Sequence, residues 1–161
     1  MSLSGAVGAN YLTVDSTQKF DLGERYYDKG VQAEFIYAYA TSTIAQYDIA
    51  QLDNTRSGVS MTTTTASTIP STVGIAQVAI PAGSYGWLFI RGGKTGEGIK
   101  VNALTLCALN AKLYTTATAG AVDDTATKIV SGLVLTATNS AGGTVATECI
   151  AVTYLSINSD T

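Results

Sequence analysis

Residues 73–90 read VGIAQVAIPAGSYGWLFI, and this stretch decides the fold class. An apolar run, the four residues PAGS and a second apolar run spell strand, turn, strand, with Pro81 presetting one turn dihedral and Gly83 supplying a residue that accepts positive φ. Successive side chains of a strand point to opposite faces, so Tyr85, Trp87 and Phe89 share one face of the second strand.

The same period of two continues upstream. In AEFIYAYA (33–40) Phe35, Tyr37 and Tyr39 lie on one side and Ile36, Ala38 and Ala40 on the other, the pattern of a strand covered on both faces. IAQYDIAQL (44–52) reads as the next strand. The threonine-rich RSGVSMTTTTASTIPST (56–72) is expected as a loop, because Pro70 limits pairing. Downstream, the glycine-rich loop RGGKTGEG (91–98) precedes three β-compatible runs, IKVNALTLCALNAKLY (99–114), KIVSGLVLTAT (128–138) and VATECIAVTYLSI (145–157). No 3.6-residue apolar stripe and no fixed-period repeat appears. The expectation is a mainly β fold, a compact β-sandwich or partly closed β-barrel with an extended N-terminal arm.

Charge divides the chain. Asp15 to Glu34 packs eight charged side chains around Tyr26 and Tyr27, whereas Ser57 to Ile90 holds none. Residues 1–32 therefore read as the arm and 33–161 as a single β domain. The uncharged stretch is no spanning helix, since it contains Pro70, Pro81 and four glycines. The N-terminus lacks a basic start followed by a solid apolar block, so synthesis in the cytoplasm without a cleaved leader is expected.

Composition excludes whole classes of chemistry. With 12 Asp+Glu, 9 Lys+Arg and no histidine among 161 residues, the chain has no Ser-His-Asp or Cys-His pair and no histidine-ligated zinc. A net charge of −3 without a basic run argues against nucleic acid. No catalytic residue, cofactor or metal is assigned, and the protein reads as a non-enzyme.

Four motifs have alternative readings. GGKTGEG is not a phosphate loop, because Leu88 stands where the Walker pattern needs glycine and no helix follows. Adjacent Asp123 and Asp124 suit a turn better than a catalytic pair or a calcium site, which needs six or more oxygens. Cys107 and Cys149 lie in apolar runs and read as buried free thiols, with a disulfide as the alternative. Tyr85, Trp87 and Phe89 read as core, with a glycan-stacking platform as the alternative.

The string 72–93, with Val73, Gly74, Ala76, Gly83, Tyr85, Gly86, Trp87 and Gly92, followed by IKVNA and by the Leu113–Gly120 element, resembles the capsid decoration (cement) and head-associated proteins of tailed bacteriophages. The likeness spans residues 35–157. It implies a virion protein on the outer capsid surface that bridges major capsid subunits, commonly as a homotrimer, without nucleic acid or membrane contact. It also implies an N-terminal arm that orders on the shell. Ser2 to Lys29 is the expected docking segment, with Tyr11, Leu12, Val14, Phe20, Arg25, Tyr26 and Tyr27 as its contact residues. The alternative is a head-fibre or tail-fibre module that binds host-surface glycans through Trp87 and the tyrosines.

Overall fold

A computed structural model of the chain describes residues 6–62, 64–67, 72–125 and 128–158. It is nearly all β: β1 (Val14–Asp15), β2 (Arg25–Asp28), β3 (Ala33–Ala40), β4 (Ile49–Leu52), β5 (Ser57–Ser60), β6 (Thr72–Ala76), β7 (Tyr85–Gly92), β8 (Lys100–Ala103), β9 (Tyr114–Thr115), β10 (Val122–Asp123), β11 (Ile129–Leu135) and β12 (Val145–Asn158), with one 3₁₀ turn at Thr65–Ser67. The mainly β expectation holds. The architecture is one mixed sheet rather than a clean sandwich or barrel.

That sheet closes on itself twice. Pairing runs from β3 through β7, β6, β4 and β5 back to β3, and from β12 through β11, β9, β10 and β8 back to β12. The β3–β5 and β8–β10 pairs are parallel and the others antiparallel. β12 joins the rings by touching both β6 and β7.

The first ring is narrow, and its sequence shows it. Its interior holds Ile36, Ala38, Ala40, Ile44, Ala50, Leu52, Ala76, Ile80, Leu88 and Ile90, and at three further positions even a methyl group collides. A Cβ on Gly58 would lie 2.8 Å from Leu52 Cδ2, on Gly74 2.7 Å from Leu88 Cβ, and on Gly86 2.6 Å from Ile80 Cδ1. Small rings have little interior volume, so large and small residues must alternate there. Ala38, Ala40, Ala50 and Ala76, with Gly58, Gly74 and Gly86, are the small members of this filling. The other face of β3 and β7 carries the larger residues Phe35, Tyr37, Trp87 and Phe89 into a second core, which continues through Val101, Leu113, Leu133 and Leu135.

Polar side chains bind one ring to the other. The buried Asp48 carboxylate accepts from Ser60 Oγ at 2.8 Å and Asn102 Nδ2 at 2.9 Å, linking the first ring to β8. Ile49 N donates to Gly120 O and Gly120 N to Met61 O, each at 2.9 Å.

The expected strand 44–52 pairs continuously only over Ile49–Leu52, because Ala45–Asp48 forms a turn with Tyr47 at φ 67°, leaving Ile44 in a single bridge to Ile80. The long run 99–114 is strand only at Lys100–Ala103 and Tyr114. Leu106 and Asn110 take φ of 66° and 60°, which no strand allows. The expected 56–72 loop contains strand β5 and the 3₁₀ turn, while Thr63 and residues 68–71, with Pro70, lie outside the described residues.

The described part of the expected arm, from residue 6 to residue 32, is laid along the body. Val14 pairs with Gly86 and Asp15 with Tyr85, β2 pairs along β3, Tyr11 stacks on Phe35 at 4.6 Å between centroids, and Phe20 meets Tyr37 and Trp87 at 5.2 and 5.1 Å. Residue 32 marks a change of composition, not a boundary in packing. Aromatic rings gain enough from burial and edge contacts to hold such a segment in place, about 0.5–1.5 kcal/mol per pair beyond area burial.

Candidate interaction surface

β2, β3, β7 and β12 lie side by side at one end of the first ring, and their registers gather exposed charged and aromatic side chains. Tyr27 stands opposite Glu34, Glu34 opposite Arg91, and Gly92 opposite Ala151. Alternation along β2 turns Tyr26 into the core and leaves Arg25 and Tyr27 outside.

The contacts converge on Tyr154. The Arg25 and Arg91 guanidiniums lie over its ring, 4.9 and 5.0 Å from the centroid. Its hydroxyl donates to the Glu34 carboxylate at 3.0 Å, and Arg25 Nη1 lies 3.6 Å from the same carboxylate. Cation–ring contact and hydrogen bond together fix a long tyrosine that would otherwise be free at the surface. Tyr154 remains 44% exposed, and Val152 (63%) and Tyr27 (50%) are exposed on the neighbouring strand positions.

Two of the chain's three arginines meet here. Among the described residues, Arg91 has ring contact with Tyr154 but no hydrogen bond or ion pair, so its planar fork of donors stays available. Glu34, by contrast, is engaged by both Tyr154 and Arg25. Beside this patch runs an unpaired edge: among the described residues β2 pairs with β3 alone, so alternate main-chain groups on its far side face outward.

Of the residues expected to contact a capsid, Arg25 and Tyr27 belong to this surface. Leu12 is exposed near it in sequence only, Tyr11, Val14 and Phe20 are half-buried against the body, and Tyr26 is buried. Tyr26 donates to Asp28 Oδ2 at 3.2 Å and accepts from Tyr11 N at 3.0 Å; burial drives its phenol pKa far up. These residues hold the segment down rather than offering it to a partner. Residues 2–5 of the expected docking segment lie outside the described residues.

Sequence reading missed Glu34, Arg91, Val152 and Tyr154. In the sequence Arg91 opens the glycine-rich stretch 91–98, and nothing local relates Tyr154 to residues 25–34. The scarcity of arginine was the available signal. Trp87 and Phe89 are wholly buried, so the aromatic triplet is core; Tyr85, half-buried, stacks near Tyr37 and Tyr39.

The remaining candidates fall elsewhere. Cys107 and Cys149 are free and buried, the Cys107 thiol pushed up to about 11 by desolvation and then by Asp124 and Asp123. The Cys107 sulfur and the Asp123 and Asp124 carboxylates lie within 4.8 Å of one another, the one grouping among the described residues with the donors for a metal ion. Asp124 Oδ2 also accepts from Ala108 N at 3.0 Å, which accounts for this carboxylate as a loop fastener. In the 91–98 loop Lys94 pairs with Glu97 at 3.1 Å, and Gly96 N donates to Glu148. No described helix is long and apolar enough to cross a membrane.

No known family, curated protein or solved structure matches the chain.

Proposed function

We propose that the protein is a bacteriophage capsid decoration protein that sits on the outer surface of the shell and bridges major capsid subunits, as a homotrimer. The observation that carries the reading is the exposed arginine–tyrosine face beside the free β2 edge, since arginine and tyrosine are the residues interfaces use most and glutamate and lysine those they avoid. The sequence likeness over 35–157 supplies the class of partner. Repetition of the face in a trimer on a lattice would raise a modest contact to a firm one through effective concentration. A body held together by two closed rings suits a role that asks for rigidity and no chemistry.

The test is addition of purified protein to particles lacking it, followed by sedimentation and imaging. Density on the outer shell together with a trimer mass in solution or on the particle supports the reading. Absence of binding to intact particles overturns it. The glycan-binding alternative loses Trp87 and Phe89, which are wholly buried, and would rest on the tyrosines alone.

A further inference from the structure

We propose that Cys107, Asp123 and Asp124 bind a thiophilic divalent cation of the zinc type in the second ring, the sulfur as thiolate and one oxygen of each carboxylate serving as ligands. The inference stands apart from the decoration reading, since it concerns residues outside the arginine–tyrosine face.

The backbone brings the three donors together from two segments. β10 runs parallel to β8 with Val122 opposite Ala103, and Leu104 N donates to Val122 O at 2.9 Å. The chain then turns, Cys107 N donating to Leu104 O at 3.4 Å. Asn139 holds the turn: its N donates to Cys107 O at 3.0 Å, and its Nδ2 to Ala103 O and Leu104 O at 2.9 and 2.7 Å. Cys107 is thereby fixed beside the end of β10, where its Sγ and an oxygen from each aspartate lie within 4.8 Å of one another. Zinc–sulfur bonds of about 2.3 Å and zinc–oxygen bonds of about 2.0 Å place the donors of a tetrahedral site about 3–4 Å apart, so small side-chain rotations close the set.

The thiol is what separates this group from two aspartates in a turn. Cys107 is wholly buried, its sulfur lies at the two carboxylates, and its S–H donates to no acceptor among the described residues. The carboxylates retain capacity as well. Asp123 Oδ1 accepts from Asp124 N at 2.9 Å and Asp124 Oδ2 from Ala108 N at 3.0 Å, which orients both groups and leaves the other oxygen of each without a partner among the described residues. Neither carboxylate has an ion pair among those residues, so two like charges stand together with no cation to offset them.

The donor types then select the ion. Calcium and magnesium take oxygen ligands, calcium about six or more, whereas thiolate favours zinc and its softer relatives. Three protein ligands leave a fourth position for water, and both aspartates are half-exposed, which gives the ion a way in from solvent. On binding, the Cys107 S–H bond breaks, its proton passes to solvent and a metal–sulfur bond forms, without oxidation or reduction.

The experiment is calorimetric titration of the metal-free full chain with zinc chloride, together with the absorption spectrum of the same protein after addition of cobalt(II). One ion per chain, a thiolate-to-cobalt charge-transfer band, and a heat that changes with the ionisation enthalpy of the buffer as the thiol proton is released support the proposal. Cys107→Ser should abolish the band and weaken zinc by at least the roughly tenfold to hundredfold that loss of an outer-shell partner costs, and Asp123→Asn and Asp124→Asn should each weaken it in the same range. Cys149→Ser should leave band and affinity unchanged. The melting temperature should rise with zinc concentration, because an ion held by the folded chain stabilises it by mass action. Absence of the cobalt band in the unaltered chain overturns the proposal even where Cys107→Ser fails to fold. Zinc affinity indifferent to Cys107→Ser, calcium bound as tightly as zinc, or no rise in melting temperature with bound zinc overturns it equally.

Discussion

Gln77 pairs with the main chain of Lys100 as a neighbouring strand would: its Nε2 donates to Lys100 O at 2.9 Å, and its Oε1 accepts from Lys100 N at 3.0 Å. The carboxamide is buried and joins the end of β6, in the first ring, to the start of β8, in the second. Replacing both groups leaves a buried donor and acceptor without partners. Gln77→Ala should cost about 2–4 kcal/mol on the scale of unsatisfied buried groups. Gln77→Glu should also destabilise, since a carboxylate cannot donate to Lys100 O. Denaturant titration checks both, and a loss below about 0.5 kcal/mol would show that the rings do not depend on this link.

The glycines inside the first ring should differ in how they can be rescued. Gly86→Ala brings a methyl group to 2.6 Å from Ile80 Cδ1 and 2.9 Å from Ile80 Cγ1, so Ile80→Val, which deletes only the first, should restore part of the stability. Gly74→Ala meets Leu88 Cβ at 2.7 Å, which only glycine at position 88 would remove, and Phe89 O at 3.3 Å, a main-chain atom that no substitution removes. Each single variant should lose about 1–3 kcal/mol, the usual cost of overpacking. Rescue of Gly74→Ala by Leu88→Val would contradict this account.

Because the N-terminal segment packs on the aromatic core, removing it should weaken the body. Deletion of residues 2–20 strips β1 from β7 and takes Tyr11 and Phe20 off Phe35, Tyr37 and Trp87. The melting temperature should fall by several degrees, with about 2–4 °C lost per kcal/mol in a domain of this size. Phe20→Ala alone should shift Trp87 emission to longer wavelength as water reaches the ring. A melting temperature unchanged by the deletion would show that the segment is held only loosely.

Stability should decline in alkali. Burial, followed by the hydrogen bond to Asp15, raises the Tyr37 phenol from 10.0 to about 12, opposed by the Lys19 N–H that it accepts. A raised folded-state pKa means that the folded chain holds its proton more tightly, so the contribution is complete below pH 10 and is lost as pH rises towards 12. The Cys107 thiol, raised from 9.0 to about 11, adds loss from pH 9 upward. Thermal melts across this range should show the decline, and Tyr37→Phe should flatten its upper part while lowering stability near neutrality, because Asp15 loses a donor at 2.9 Å.

Both cysteines should be silent in the native state. Cys107 and Cys149 are free with no exposed surface, and desolvation raises both thiols, so little thiolate exists at neutral pH. A thiol reagent should count two groups after unfolding without reductant and none rapidly before it. Two fewer groups in the absence of reductant would mean a disulfide.

The candidate surface was half legible. Arg25 and Tyr27 stand out in a charged, aromatic stretch, and the alternation of β2 is local enough to turn them outward. Arg91 and Tyr154 were not legible, because they reach the same place through the registers Glu34 to Arg91 and Gly92 to Ala151. Pairing partners that lie 57 and 59 residues apart leave no mark in either local pattern, and only the closed sheet brings them together.

By itself the sequence determined that the chain is mainly β, that Tyr85, Trp87 and Phe89 share a face, that no histidine-based chemistry is present, and that residues 73–90 hold two neighbouring strands, although the first ends at Ala76, pairs with the second only at Ile75–Phe89 and Ala76–Leu88, and leaves Ile80 to bridge to Ile44. These follow from side-chain alternation, turn residues and composition, which are local properties. The tertiary structure decided that the strands close into two rings, that the N-terminal segment joins the body, and that Trp87 lies beneath Phe20 while Tyr154 stands in the open between two arginines. The reason is physical: alternation says which residues share a face of one strand, but which strand lies beside it depends on how all the faces are buried at once.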